Sequence, residues 1–584
     1  MKINTLNRID IRRILKNAGP FFLLAALIWV THFWHSADFG LYEDDYNMVS
    51  RGMAMSGQEL WEAIRAALLN FEGGKPFHAS FVYLLSFLGS NLGDITVLYW
   101  FGYLLVTLNA FLFYLLLKRV VSGSFAFLGA IAYTLFSADT TQAFLTIALG
   151  FQPSIMFLLL AMHSYLSNKH LISYFLVLGV LLTYEVPYPV FLAAPLLRKN
   201  WDEKLLKRTI QHALILGGIL GLTIGVRYLV GEPRITGLGF PEVITVPIKQ
   251  MVLGPYISLR SYIHRPYLVL RSLDAELGIV LAVSFLYLTL AFSWLRFGIR
   301  GDVPHIIDSL RSLNFATVKD RIRKKIFPIE LSEEQRRFFR FGFTGFLMLI
   351  LAYPFTFTVS ALTVSGRNTR VHFAAIFGAS ILCACVSWLI MRITASYGKK
   401  WVGVFILAAY FALFVGFGFV VQNEYVLAWQ YQREFWSELL PLIPDAEEGT
   451  VIIVDPSGLK DTIHIGANFW SLPRMLDQIY QFPDEWDEPP RVFRLVPNWR
   501  EYIVRAEGLF QLKDFTTHAP ASHYKNIESS TCILIEKING RWVRRTGPLV
   551  FDGIEFPLKT LGTTDLPSFP RGFLFDYLIQ ELSY

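Results

Sequence analysis

Three consecutive carboxylates, Glu43-Asp44-Asp45, stand between two tyrosines in the segment Leu41–Tyr46, shortly after the first long apolar run of the chain. Crowded carboxylates raise one another's pKa, so one of them can accept a proton and a pair can share a cation. The plainer alternative is that Asp44 or Asp45 caps a helix beginning at Tyr46. Spacing alone leaves the choice among the three open. In an extended chain Glu43 and Asp45 share a side and Asp44 faces away.

Cations that could meet a phosphate occur in two later segments. Gly231–Glu276, expected to be a loop, holds Lys249, Arg260, His264, Arg265 and Arg271 among prolines and tyrosines, and Ser365–His372 holds Arg367 and Arg370. Glu185, in Tyr184–Pro187, is an ionisable group between two apolar runs, which marks it as a functional candidate; the alternative is a tight turn meeting water. His32 and His35 close the first apolar run and read as interface anchors. Trp429–Gln432 with Phe435 and Trp436 reads as a helix packed on the membrane face. Zinc-peptidase, phosphate-loop and serine-nucleophile motifs do not occur.

The elements that must position these groups are apolar blocks. The chain has 584 residues, 53% of them hydrophobic and 15% aromatic, and the apolar residues cluster in runs of about 20, the length that spans a bilayer. About eleven spans are expected, near residues 20–36, 97–117, 123–138, 150–166, 171–184, 186–197, 210–230, 277–297, 342–363, 371–391 and 401–421. The pair at 171–197 is short enough to be one broken span. The first follows Arg8, Arg12, Arg13 and Lys16, and His35-Ser36-Ala37 makes a poor cleavage site, so it is expected to be an uncleaved signal anchor.

Placing the N-terminus in the cytoplasm and alternating puts the strong basic clusters on one side, as the positive-inside rule requires. These are Lys118-Arg119, Lys169, Arg198 to Arg208, Arg296 to Arg340 (with Arg321-Ile322-Arg323-Lys324-Lys325) and Lys399-Lys400. Ala37–Pro76, Gly231–Glu276 and the tail after Gln422 then lie outside. Arg260, Arg265, Arg367 and Arg370 run against this trend and need a reason. A lipid phosphate, anionic headgroups or the acidic tail would each supply one.

Residues 422–584 hold 23 acidic and 15 basic side chains, a net of −8, so residues 1–421 carry +15 of the chain total of +7. The basic residues sit between spans and form no continuous stripe, which argues against nucleic acid as a partner. Three cysteines supply neither a disulfide framework nor a zinc site. Within the outer segments, Gln58–Phe71 has helical amphipathicity and is expected to lie in the interface, and Phe77–Leu92 to be interfacial or re-entrant. In the tail, Gly449–Asp455 predicts a short buried strand, and Thr531–Arg545 a hairpin turned by Asn539-Gly540.

A span, an acidic pair, an interfacial helix, Gly74-Lys75-Pro76 and a second span ending in Lys118-Arg119 form an order that resembles the GT-C superfamily of membrane glycosyltransferases. That superfamily includes the protein O-mannosyltransferases and bacterial aminoarabinose transferases. The resemblance is best over the first two hundred residues or so. It maps the family's acidic pair onto Asp44 and Asp45, and Gly74-Lys75-Pro76 onto a Gly-Arg-Pro of bacterial relatives. It implies a polyprenyl-phosphate sugar donor and inverting transfer, with Asp44 as base and Asp45 as support or as ligand of a divalent cation, Mg2+ or Mn2+. Glu43 is the third candidate for the base. Lys75, Arg260, Arg265, Arg367 and Arg370 would serve the phosphate. Glu185 stands at a turn where the family often has an acidic residue after Lys; here Tyr184 replaces that Lys.

The expectation is therefore an all-α polytopic membrane domain over residues 1–421 with a catalytic first outer loop at 37–76. A juxtamembrane helix at 422–444 and a small α/β or β-rich extracytoplasmic domain at 445–584 would follow. The partners expected are the lipid bilayer, the donor, and a protein, lipid or polysaccharide acceptor. A transporter or flippase of a lipid-linked or small polar solute is a second class, although its polar groups would lie near the bilayer midplane in matched halves. A third reading is an inactive scaffold of the same fold.

Overall fold

A computed structural model describes residues 11–579 apart from 72–73, 199–200, 233–238, 240, 297–332, 467–471, 473–474, 495–508, 514–523, 552–553 and 563–568. The basic run Arg321–Lys325 lies outside the described residues.

The chain is predominantly helical. Seven helical stretches among the described residues are long and apolar enough to cross a membrane: Ala18–Asp38, Ile95–Lys118, Leu145–Leu166, Leu205–Leu229, Ala275–Ser293, Arg367–Ser396 and Lys400–Leu442. These make it a membrane-embedded, multi-pass helical protein.

The N-terminal elements are α1 (Ile11–Ile28), prolonged by a π turn and a 3-10 turn to Asp38, then α2 (Asp45–Ala54), α3 (Gly57–Leu69), α4 (Pro76–Leu92) and α5 (Ile95–Lys118). Ser56 and Glu59 form a capping box that starts α3, and Pro76 occupies the first turn of α4, where its missing N–H costs nothing. Next come α6 (Gly123–Thr134), α7 (Leu145–Gly150), α8 (Gln152–Leu166), α9 (His170–Thr183), a 3-10 segment Tyr188–Leu197, and α10 (Leu205–Leu229). The bundle closes with α11 (Glu242–Arg271), α12 (Ala275–Arg296), α13 (Glu333–Leu351), α14 (Ile376–Ser396) and α15 (Lys400–Leu439).

Several expected spans take shorter forms. Segment 171–197 is broken at Tyr184–Pro187, and neither half reaches the ~20 residues of a full crossing. The segment expected at 342–363 stops at Leu351, just before Pro354 disfavours helix in the residue preceding it. Two expectations are corrected outright. Gly231–Glu276 is not a loop: most of it forms α11, a continuous helix of 30 residues through Pro247, Pro255 and Pro266. The span expected at 401–421 and the juxtamembrane helix expected at 422–444 are not separate elements: α15 runs unbroken for 40 residues through both.

After α15, β1 (Val451–Val454) is flanked by β2 (Arg491–Arg494) and β5 (Cys532–Ile538), both parallel to it, and β6 (Arg541–Arg544) pairs antiparallel with β5, while β3 (Leu509–Lys513) and β4 (Tyr524–Glu528) form an antiparallel pair of their own. Asn539 (φ 52°) and Gly540 (φ 83°) make the β5–β6 turn, as the sequence predicts. Strand alternation puts Ile452, Val454, Ile533 and Ile535 into a core continuous with the helical bundle. Val451, Ile453, Cys532 and Leu534 build a separate core on the opposite face. The sheet is buried on both faces, as its parallel pairing and continuous apolar strands require.

Candidate functional site

The loop that leaves α1 is fixed by the far part of α15. Tyr42 Oη accepts the Gly40 N–H (3.0 Å) and donates to the Tyr425 carbonyl (2.7 Å). Gln432 Nε2 donates to the Leu41 carbonyl (3.2 Å), and Tyr99 Oη of α5 donates to the Gly40 carbonyl (2.7 Å). Gly40 is required here: a Cβ would sit 1.9 Å from the Trp429 indole. Of the aromatics expected to lie on the membrane face, Trp429 packs on this loop instead, and both Trp429 and Trp436 are buried.

The three carboxylates take three different places. Glu43 adopts a positive φ of 48°, a strained conformation for a residue with a side chain. Its Oε2 accepts from Arg367 Nη1 at 3.1 Å. Asp44 stands at the N-cap of α2 without capping it, so the capping alternative does not hold for this residue. Its Oδ2 contacts Arg367 Nη2 and lies 3.9 Å from Arg370 Nη1. Asp45, the first residue of α2, is 0% exposed. Its Oδ2 accepts the Tyr42 N–H (3.2 Å) and its Oδ1 the Thr146 N–H (2.8 Å). Burial pushes the Asp45 carboxyl up to about 7 against these hydrogen bonds, and burial also raises Glu43 against the opposing field of Arg367.

Arg367 and Arg370 come from a 3-10 turn, Arg367–Ala375, entered through Gly366 at φ 71°. The side chains of Glu43, Asp44, Arg367 and Arg370 are 13%, 29%, 16% and 24% exposed, so none of the four is sealed in the core. Two guanidinium groups against two carboxylates can exchange a carboxylate for a phosphate oxyanion, since the arginine fork suits either.

The other predicted residues divide. Lys75 lies 3.6 Å from Glu185, which is also 3.7 Å from Arg227 of α10; Arg227 in turn lies 3.6 Å from Glu232. The Lys75 ammonium sits over the Tyr184 ring at 4.5 Å, and that ring stacks on Phe151 at 3.9 Å. Tyr184 thus holds a cation. Lys75 and Glu185 come together, but in an ion-pair group of their own.

Arg265 is buried, donating from Nε to the Ser137 carbonyl (3.3 Å) and from Nη2 to the Val364 carbonyl, with His464 Nε2 at 3.4 Å from Nη1. His464 is held in turn by Glu424 (Nδ1···Oε1 2.8 Å). Arg260 is exposed on α11, and no ion pair joins it to the carboxylates among the described residues. His32 and His35 face the interior: His32 Nε2 meets the Thr134 carbonyl (2.9 Å), and the His35 ring packs on Phe419 (5.1 Å) while its backbone N–H donates to Gln422 Oε1 (3.1 Å).

The donor set does not fit a shared divalent cation at Asp44 and Asp45. Asp45 spends its oxygens on backbone N–H groups, and Asp44 faces two guanidinium groups. Among the described residues, no group of three or more His, Cys, Asp or Glu gathers as metal ligands.

Arg227, Glu424, His464, Thr140 and Thr369 were missed from sequence. Arg227 and Glu424 carried a signal, being charged residues at the ends of apolar runs. The others became visible only when the chain folded. Comparison of the chain with protein-family models and with curated proteins returns no match.

Proposed function

We propose that this protein is a GT-C type membrane glycosyltransferase, moving a sugar from a polyprenyl-phosphate donor onto an acceptor hydroxyl, with inversion. The observation that carries the reading is the meeting of Asp44 with Arg367 and Arg370, residues more than three hundred positions apart, where all three side chains are partly exposed. In this reading the donor phosphate takes the two guanidinium groups. Asp44 then loses its ion pair, and its carboxylate becomes a better base. The acceptor oxygen gives its proton to Asp44 and bonds to the anomeric carbon from the face opposite the phosphate. The bond from that carbon to the phosphate oxygen breaks, its electron pair leaving with the polyprenyl phosphate. Glu43 keeps Arg367 in place, and Asp45 braces the loop rather than acting as base or cation ligand.

The orientation belongs to the same proposal: N-terminus cytoplasmic, carboxylates and C-terminal sheet outside a bacterial plasma membrane. Eleven passes, the number expected from the apolar runs, are odd and put the tail opposite the N-terminus. The basic residues support this. Arg119 reaches the His163 carbonyl and Ser167, and Arg198 reaches Asn168, at the far end of α5 from Tyr99. A helix of 24 residues separates the two ends by ~36 Å.

The test is transfer of labelled sugar from polyprenyl-phosphate donors in membranes holding equal amounts of wild type, Asp44→Asn and Asp45→Asn. Asp44→Asn should lose about 10²–10⁴-fold in rate. Transfer by Asp44→Asn at the wild-type rate would remove the base assignment. Absence of transfer by the wild type across a broad donor panel would remove the enzyme reading.

A further inference from the structure

Between α6 and α7 the chain passes through Ser137, Asp139, Thr140, Thr141 and Gln142, all at most 6% exposed. A polar turn so deeply buried is costly unless its groups are bonded, and these bonds reach almost every part of the site. Asp139 Oδ1 accepts from the Thr141 N–H (2.9 Å) and hydroxyl (2.6 Å), closing the turn on itself. Tyr425 Oη donates to the Thr140 carbonyl (3.3 Å), and Arg265 to that of Ser137. A few residues on, the Thr146 N–H holds Asp45.

The contact of most consequence is with Thr369, which lies between Arg367 and Arg370 and is fully buried. Its Oγ1 donates to the Gly366 carbonyl (2.9 Å), accepts the Thr140 N–H (3.1 Å), and lies 3.0 Å from Thr140 Oγ1. One donor and two acceptor positions are all a hydroxyl has, and here all three are used. One stretch, Asp139–Thr146, therefore grips the carboxylate loop at one end and the arginine turn at the other. It sets the distance between the two.

We infer that Thr369, fixed by Thr140, is a positioning residue that holds Arg367 and Arg370 as a pair for a phosphate oxyanion opposite Asp44. This rests on the phosphate reading of the site given above. Valine in place of Thr369 keeps the volume but loses all three bonds, whereas serine keeps them.

The experiment measures binding of farnesyl phosphate, with farnesol as its uncharged counterpart, to the purified full-length protein in detergent. The proteins compared are wild type, Arg367→Ala, Thr369→Val, Thr369→Ser and Thr140→Val. Thr369→Val should bind farnesyl phosphate about tenfold more weakly while farnesol binding stays unchanged; Thr369→Ser should bind both as the wild type does. A merely structural role would weaken both ligands together, and that result overturns the inference. If Thr369→Val does not accumulate, Thr140→Val, which removes only the hydroxyl contact, carries the same test with a smaller loss. Arg367→Ala binding farnesyl phosphate as well as the wild type would remove the phosphate reading itself. Loss in Arg367→Ala with retention in both threonine variants would leave that reading standing and overturn the positioning role.

Discussion

At the residue scale, the acidic triplet shows how neighbours with the same chemistry are separated by what folds around them. Asp45 is the most deeply buried and Asp44 the most exposed of the three side chains. Burial pushes the Asp45 carboxyl up to about 7, well above the ordinary carboxylate range. A carboxyl raised on folding contributes stability that is fully present below its unfolded pKa and is lost as pH rises through its folded pKa. The protein should therefore be more heat-resistant near pH 5 than near pH 8, and Asp45→Asn should flatten that difference. The size of the effect is at most on the order of 4 kcal/mol. Thermal unfolding of both proteins across that range checks it; equal slopes would count against the assignment.

What sequence showed at this scale was residue type and place. It marked Glu43, Asp44, Asp45, Arg367, Arg370, Lys75 and Glu185 as candidates, but not which would meet. Spacing along an extended strand set Asp44 apart from its neighbours, whereas the fold turns Glu43 to positive φ and groups it with Asp44 on Arg367. No pattern in one chain encodes a pairing across more than three hundred residues. Arg265 illustrates the converse: an arginine in a presumed loop is in fact a buried tie between backbone carbonyls.

At the scale of elements, apolar run length located most of the helices, and amphipathicity located α3. Run length failed where a helix was not apolar: α11 carries charges and three prolines and still runs for 30 residues, because its buried face packs on the bundle. The loop–helix lock is testable here. Gly40→Ala drives a methyl into the Trp429 ring and should destabilise by about 1–3 kcal/mol. Adding Trp429→Ala should cost less in that background than in the wild type, a coupling of roughly 0.5 kcal/mol or more. Thermal midpoints of the two single variants and the double variant measure it; strict additivity would show that the two do not meet.

For the whole molecule, the native thiols make topology easy to test. Cys385 and Cys532 are buried and Cys383 is half-buried within α14, so background labelling should be low. A membrane-impermeant maleimide should label Glu434→Cys in intact cells, and Ser167→Cys only after the membrane is opened. Equal labelling of both in intact cells would reverse or void the orientation.

The unbroken α15 has a mechanical consequence. Forty residues of helix measure ~60 Å, about twice the hydrocarbon thickness of a bilayer, so one rigid rod extends from the lipid to the loop bearing the carboxylates. A rod clamped at Gly40, Leu41 and Tyr42 acts as a lever. When a thinner bilayer tilts its lower half, the upper half must shift Asp44 against Arg367, and the transfer proposed above would then track acyl-chain length in reconstituted vesicles. The lipid around this protein would help to set the geometry of the Asp44–Arg367 pair.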